Sequence, residues 1–163
     1  MLIAFDLDDT LYKERQFVAS GCEAVARLAA STGKLTLAEA RAILADAAIT
    51  AEGFDRLAEA TKGDLSLSDM LNEYRFHTPV LTLPEETADL LACLKQNGHT
   101  LVLITDGRSA TQRGKIKALG LERYFSPENI IISGETGADK NYPLPFLLAA
   151  ERNPGETERV YVG

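Results

Sequence analysis

Ile3-Ala4-Phe5-Asp6-Leu7-Asp8-Asp9-Thr10-Leu11-Tyr12 lies at the head of the 163-residue chain and governs how the rest is read. Residues 1–5 form an apolar run that Asp6, Asp8 and Asp9 cut off far short of a signal h-region or a membrane span. A short apolar run of this kind reads as a strand buried on both faces, as in a parallel sheet. Asp6 and Asp8 stand two residues apart where strand gives way to turn, so both carboxylates can approach one point while a backbone carbonyl also faces it. Such acids repel one another unless a hard cation or shared protons compensate, and oxygen-only ligands favour magnesium over zinc. The same residues are also compatible with a solvated acidic turn in which Asp9 caps a helix.

Beyond this stretch the hydrophobic period changes twice. Val18, Cys22, Val25 and Leu28 with Ala29 form one helical stripe, closed by Gly33. Thr36 and Glu39 form a capping box for a second helix running through Ala40, Ile43, Leu44 and Ala47, and Ser66 with Asp69 opens another that carries Met70, Leu71 and Tyr74. Behind Pro79, a helix over Glu85–Gln96 is introduced by Thr82 and Pro84 and ended by Asn97-Gly98. Strand and helix then alternate: strand Thr100–Thr105, helix 110–119 stopped at Gly120, strand 129–133, helix 144–151, strand Arg159–Val162. That alternation predicts a parallel sheet covered by helices, with the N-terminal strand in the same sheet. The expected fold is α/β, a three-layer Rossmann-like parallel sheet made of residues 1–13 and 79–163, with an inserted helical segment over 14–78.

Composition narrows the function classes. A chain 45% hydrophobic and 25% charged is ordinary for a folded protein with one good core and a small accessory layer. A net charge of −7, with no basic run longer than two residues, argues against nucleic acid as a partner. It leaves room for a small phosphorylated ligand, which a few local groups or a metal can neutralise. Cys22 and Cys93 are far apart and each falls in an apolar helical pattern, so both read as buried small hydrophobes in a cytoplasmic protein with no membrane partner.

Ligands of open parallel sheets sit beyond the carboxyl ends of the strands. Asp6 and Asp8 follow the first strand, Thr105-Asp106 the second, and Ser133-Gly134-Glu135 the third, so three strands deliver polar groups to one edge. Arg108 and Arg113 fall near that edge. His77 and His99 have no ligand spacing and are assigned no metal. Phe17, Tyr74 and Phe76 read as packing within the inserted segment.

These motifs, in this order, resemble the haloacid dehalogenase-like hydrolase superfamily, most of whose members are phosphotransferases. Residues 3–12 are similar to its first motif, DxDxT. Leu103-Ile104-Thr105-Asp106-Gly107 resembles its second, a hydrophobic strand ending in Thr or Ser. Gly137-Ala138-Asp139-Lys140, followed by Pro143 and Phe146, resembles its third, with Asn141 in place of the customary proline. Gln112, Lys115, Leu119-Gly120-Leu121 and Phe125 extend the likeness between the second and third motifs. The resemblance implies Asp6 as nucleophile and metal ligand, and Asp8 as general acid/base that lends a carbonyl to Mg²⁺. It implies Thr105 as phosphoryl binder, Lys140 as the charge steadying phosphate and nucleophile, and the 14–78 insertion as a cap over a small phosphorylated metabolite. Thr10 reads either as a support for the loop or as a helix cap.

Family members usually follow the fourth strand with Gly-Asp and further acids that complete the metal site, whereas this sequence runs to Val160-Tyr161-Val162-Gly163. The expectation is therefore either a fragment of a longer chain or a form with weakened magnesium affinity and turnover. Two rival functions follow: a catalytically weak member that binds a phosphorylated ligand or a protein, and a haloacid dehalogenase. Asp8 opposes the second, because halide departs without a proton whereas an alkoxide needs one.

Overall fold

Strand β1 (Leu2–Phe5) owes its place to four residues with no polar side chain, all of them buried. The structure, a computed structural model, describes residues 1–46 and 51–163. In chain order β1 is followed by helices α1 (Arg15–Ser31), α2 (Leu37–Asp46), α3 (Ala51–Ala60), α4 (Leu67–Phe76) and α5 (Glu85–Gln96). Next come β2 (Thr100–Thr105), α6 (Ser109–Ala118), β3 (Ile130–Ile132), the short α7 (Ser133–Thr136), α8 (Leu144–Arg152) and β4 (Arg159–Val162). The chain divides into two compact units, Met1–Glu14 with Leu81–Gly163, and Arg15–Val80. None of the described helices is long and apolar enough to cross a membrane.

The first unit is built on a four-stranded sheet of order β3-β2-β1-β4 with every pair parallel. Phe5 stands opposite Leu103 on one side and Val162 on the other, so β1 and β4 end level, while β2 runs two residues further to Thr105, opposite the last residue of β3, Ile132. Because side chains alternate across a strand, Leu2 and Ala4 share a face with Val102, Ile104 and Ile131, where Ala149, Phe146 and Leu148 of α8 pack. Phe5 points to the other face, where it meets Phe125 edge-on with ring centroids 6.4 Å apart. β4 is an edge strand with all four residues exposed.

Sequence-based boundaries shift where local turns win. Strand 129–133 shrinks to Ile130–Ile132, because Asn129 ends a 3₁₀ turn opened by Pro127 and Ser133 starts α7. The helices expected over 110–119 and 144–151 are Ser109–Ala118 and Leu144–Arg152. Both α5 and β2 have the expected bounds, and Gly98 (φ +78°) and Gly120 (φ +65°) take the left-handed turns that stop α5 and α6.

The second unit is helical. Val25, Ala26, Ala29, Ala40, Leu44, Phe54, Leu57, Leu65 and Met70 form its core. Both expected capping boxes are present: Glu39 N–H donates to Thr36 Oγ1 at 3.2 Å while Thr36 N–H donates to Glu39 Oε2 at 2.7 Å, and Ser66 pairs likewise with Asp69. Ala47 lies outside the described residues. Phe17 is buried edge-on to Tyr74 as expected, but Phe76 is 58% exposed, since it ends α4 beyond the last buried turn. The reading of both cysteines as buried also needs correction. Cys22 is half-buried and Cys93 exposed, because Leu91 alone is buried along α5, leaving that helix a narrow apolar stripe. His77 packs on Phe17 and bonds Ser20 Oγ through Nε2 at 2.9 Å.

Candidate active site

A sheet of order β3-β2-β1-β4 has neighbours of β1 reached in opposite directions, which opens a crevice at its carboxyl end. Asp6 is the first residue past that end. Its N–H donates to the Val162 carbonyl at 2.9 Å, which extends the β1–β4 ladder by one bond. Asp6 Oδ1 accepts the Leu7 N–H at 2.7 Å, and Oδ2 receives Lys140 Nζ at 2.6 Å. Both partners are partly buried, with side-chain exposures near a fifth (Lys140 22%, Asp6 19%). Burial opposes charge on Lys140, but bonds and charge from Asp6, and a bond from Tyr161, more than offset it and raise its pKa above the ordinary lysine value.

Lys140 is carried on the loop after α7, and that loop is pinned to β2: Lys140 N–H donates to Asp106 Oδ1 at 3.1 Å. The third strand is tied in by Gly134 N–H to the Gly107 carbonyl (3.0 Å) and Gly107 N–H to Ser133 Oγ (2.9 Å). Gly134 is required there, since a Cβ would lie 2.6 Å from the Gly107 carbonyl oxygen. Arg113 grips Glu135 with two bonds of 2.9 and 2.8 Å, which holds the Glu135 carboxyl below its usual range and fastens α6 to α7.

The turn after Asp6 folds back on the Leu7 carbonyl, which accepts from Thr10 N–H at 3.4 Å and Leu11 N–H at 3.0 Å. Asp9 takes a left-handed φ of +56°, which its short polar side chain tolerates, and its Oδ1 accepts Glu14 N–H at 3.1 Å just ahead of α1. Asp8 is the most heavily bonded acid of the motif. Lys115 Nζ reaches both of its oxygens at 2.8 and 2.9 Å, Tyr12 OH donates to Oδ1 at 2.7 Å, and Gln112 Nε2 donates to Oδ2 at 3.1 Å. Burial, and then the bond to Asp8, hold Tyr12 protonated by raising its pKa far above the ordinary tyrosine value. Thr105 is buried, and its Oγ1 accepts Gln112 Nε2 at 2.8 Å.

The four residues singled out in the sequence thus belong to one hydrogen-bonded assembly. Asp6 touches Lys140, Lys140 touches Asp106, and Gln112 joins the Asp106 carbonyl (2.6 Å) to Thr105 and Asp8. The repulsion foreseen between Asp6 and Asp8 is met by two lysines, Lys140 and Lys115. Asp106 is at the strand edge foreseen from the sequence but had no role assigned, and Gln112 and Lys115, which carry the family likeness, had no place at the site. A signal for the last two exists: 112, 115, 116 and 119 are an i, i+3, i+4, i+7 stripe, in which Gln112 and Lys115 occupy inward positions beside buried Ile116 and Leu119.

Asp6 and the Asp8 carbonyl are donors of the kind a hard cation takes, so the residues present fit magnesium in type. Among the described residues no group of three or more His, Cys, Asp or Glu side chains is arranged to hold a metal, so these donors would supply only part of a coordination sphere.

The model of the haloacid dehalogenase-like hydrolase family matches residues 1–162. The chain belongs to that family. Among curated relatives of this haloacid dehalogenase-like hydrolase, a phosphoglycolate phosphatase of Neisseria gonorrhoeae is 32% identical over 91% of the chain. A glyceraldehyde 3-phosphate phosphatase of Methanocaldococcus jannaschii is 31% identical over 99% of it. The chain spans 65% of the length of the first and 75% of the second. The fold of a HAD-hydrolase of Bacillus subtilis crystallised with magnesium superposes with a TM-score of 0.66 at 22% identity, covering 98% of this chain and 76% of that one.

Proposed function

We propose that this hydrolase cleaves a small phosphomonoester with Mg²⁺ through an aspartyl-phosphate formed on Asp6. The observation that carries the reading is the 2.6 Å contact of Lys140 Nζ with Asp6 Oδ2 at the end of β1. A carboxylate there can meet phosphorus in line, and the lysine offsets the negative charge that would otherwise repel the ester. The relatives lend support, because both are named for small phosphorylated metabolites.

In the first step an Asp6 oxygen bonds phosphorus, the ester P–O bond breaks, and Asp8 delivers a proton to the departing alkoxide oxygen. In the second, the Asp8 carboxylate takes a proton from water as that water attacks phosphorus, releasing inorganic phosphate and restoring Asp6. Thr105 donates its hydroxyl to a phosphoryl oxygen, and Lys140 holds another. Magnesium, when bound by Asp6 and the Asp8 carbonyl, supplies further neutralisation of phosphoryl charge. Residues 14–78 are the cap that selects among substrates and limits bulk water at a cytoplasmic catalytic core of residues 1–13 and 79–163.

The test is phosphate release by the intact protein from a panel including 2-phosphoglycolate and glyceraldehyde 3-phosphate, with and without Mg²⁺, for wild type and Asp6→Asn. Release that requires Mg²⁺ and vanishes in Asp6→Asn, with circular dichroism unchanged, is expected. Wild-type-like turnover by Asp6→Asn overturns the assignment, and tight phosphate-ester binding without turnover by wild type favours a ligand-binding role instead.

A further inference from the structure

Gln112 is a buried polar residue, 2% exposed, on the inward face of α6. A side chain so placed forfeits water and must be compensated by partners. Its Nε2 has three acceptors within 3.1 Å: the Asp106 carbonyl at 2.6 Å, Thr105 Oγ1 at 2.8 Å and Asp8 Oδ2 at 3.1 Å. The amide orientation follows from chemistry, since a carbonyl and a carboxylate can only accept, and the nitrogen end must face them. Among the described residues its Oε1 has no partner, a cost of about 1–3 kcal/mol for a buried acceptor. The loop closes directly on this amide, because a Cβ at Gly107 would lie 3.2 Å from the Gln112 side chain.

One consequence concerns the hydroxyl of Thr105. That oxygen has one hydrogen to give and lone pairs to receive. The Gln112 nitrogen shares its two hydrogens among the three acceptors and has no lone pair to offer, so the Thr105 hydrogen cannot point at it and is left to donate elsewhere. A second consequence concerns Asp8, whose Oδ2 is tied by the same nitrogen to the end of β2, which carries Thr105. A single amide therefore sets the direction of one donor and the position of one acid/base at the carboxyl ends of two different strands.

We propose that Gln112 is a positioning residue that turns the Thr105 hydroxyl into a phosphoryl-directed donor and ties Asp8 to it. The proposal rests on the phosphatase reading above. Gln112 itself touches no reacting atom and acts through Thr105 and Asp8.

The experiment is a double-mutant cycle on the intact protein, Gln112→Met against Thr105→Ala. Its two readouts are calorimetric affinity for inorganic phosphate and kcat and KM for the best ester of the panel. Gln112→Met is expected to weaken inorganic phosphate about 10-fold, the scale of one misdirected hydrogen bond, and to lower kcat by a similar factor or more. In the Thr105→Ala background, with no hydroxyl left to direct, the effect on phosphate affinity should nearly vanish. Gln112→Asn, which keeps the amide but withdraws it by one methylene, should behave as Gln112→Met does and serves if the methionine variant does not fold. A phosphate affinity equal to wild type in a folded Gln112 variant, or a loss of the same size with and without the Thr105 hydroxyl, overturns the positioning role while leaving the phosphatase reading intact. Absence of phosphate release by the intact wild-type protein, or its persistence in Asp6→Asn, overturns both.

Discussion

The two compact units use their polar residues differently. In the helical unit Arg15–Val80, polar side chains serve helix ends and surface pairs: Thr36 with Glu39, Ser66 with Asp69, Glu23 with Arg27 and Arg41. Its buried core is almost wholly apolar, with Thr61 returning its hydroxyl to the Leu57 carbonyl at 2.9 Å. In the α/β unit, polar groups are taken inside: Thr105, Gln112 and Lys115 are all buried, and each is bonded to a residue at the carboxyl edge of the sheet. Burying a lysine and an amide costs desolvation that an apolar stripe would not, so their retention on α6 is explained by what they hold in place. Stability in this protein is therefore concentrated in apolar contacts of both units, and the proposed chemistry in the polar assembly of one.

Replacing Lys140 presses hardest on that division. Lys140→Met removes the charge facing Asp6, and turnover should fall about 10²- to 10³-fold, the scale of losing one electrostatic stabiliser. The sign of the pH effect follows from its raised pKa. The Lys140–Asp6 pair adds stability in full below about pH 10, the ordinary lysine range, and that stability is lost as pH rises through the higher folded value. Lys140→Met should thus cost stability at neutral pH and less at strongly alkaline pH. Near wild-type turnover would show that the charge beside Asp6 is incidental.

Leu57→Ala is the converse. Leu57 is fully buried in the helical core, and truncation should cost about 2–5 kcal/mol in denaturant unfolding. Affinity for inorganic phosphate, measured where the variant is folded, should be unchanged. Loss of phosphate binding without loss of stability would break the separation between the units.

The smallest effect belongs to the surface of the helical unit. The Glu23 carboxyl is lowered to about 2, chiefly by the bond from Arg41. A depressed acid contributes stability above its unfolded value of about 4.3, and that contribution fades as pH falls from there toward 2. Arg41→Gln should therefore lower Tm slightly at neutral pH, because an exposed pair is weakened by solvent, and less still near pH 2. An equal Tm loss at both pH values would assign the effect to something other than the ion pair.

Much of the fold was legible because period and punctuation agreed. The apolar run before Asp6, the strand over Thr100–Thr105 and the stops at Gly98 and Gly120 are local signals, and the structure keeps them. Strand β3 was overread because Asn129 and Ser133 look extended in isolation, while the 3₁₀ turn after Pro127 and helix α7 claim them. The four residues singled out lie at strand ends or on loops, where their polar character stands out against apolar neighbours. Gln112 and Lys115 carried the family likeness but were given no part in the site, because polar residues on a helix are ordinarily solvent-facing. Their partners Asp8 and Thr105 are 104 and 7 residues from Gln112, and nothing in the spacing pairs them before the sheet is assembled.

The central claim is that phosphoryl transfer passes through Asp6, and it can be read directly from the protein. In a single turnover of the intact wild-type protein with a substrate of the panel, acid quench followed by borohydride reduction converts a phosphorylated aspartate to homoserine. Mass spectrometry of the peptide carrying residues 3–12 should then show that conversion at residue 6, with none at residue 8 and none in Asp6→Asn. Phosphate release accompanied by conversion at Asp8, or by no conversion when the quench is made before the second step, would contradict the account.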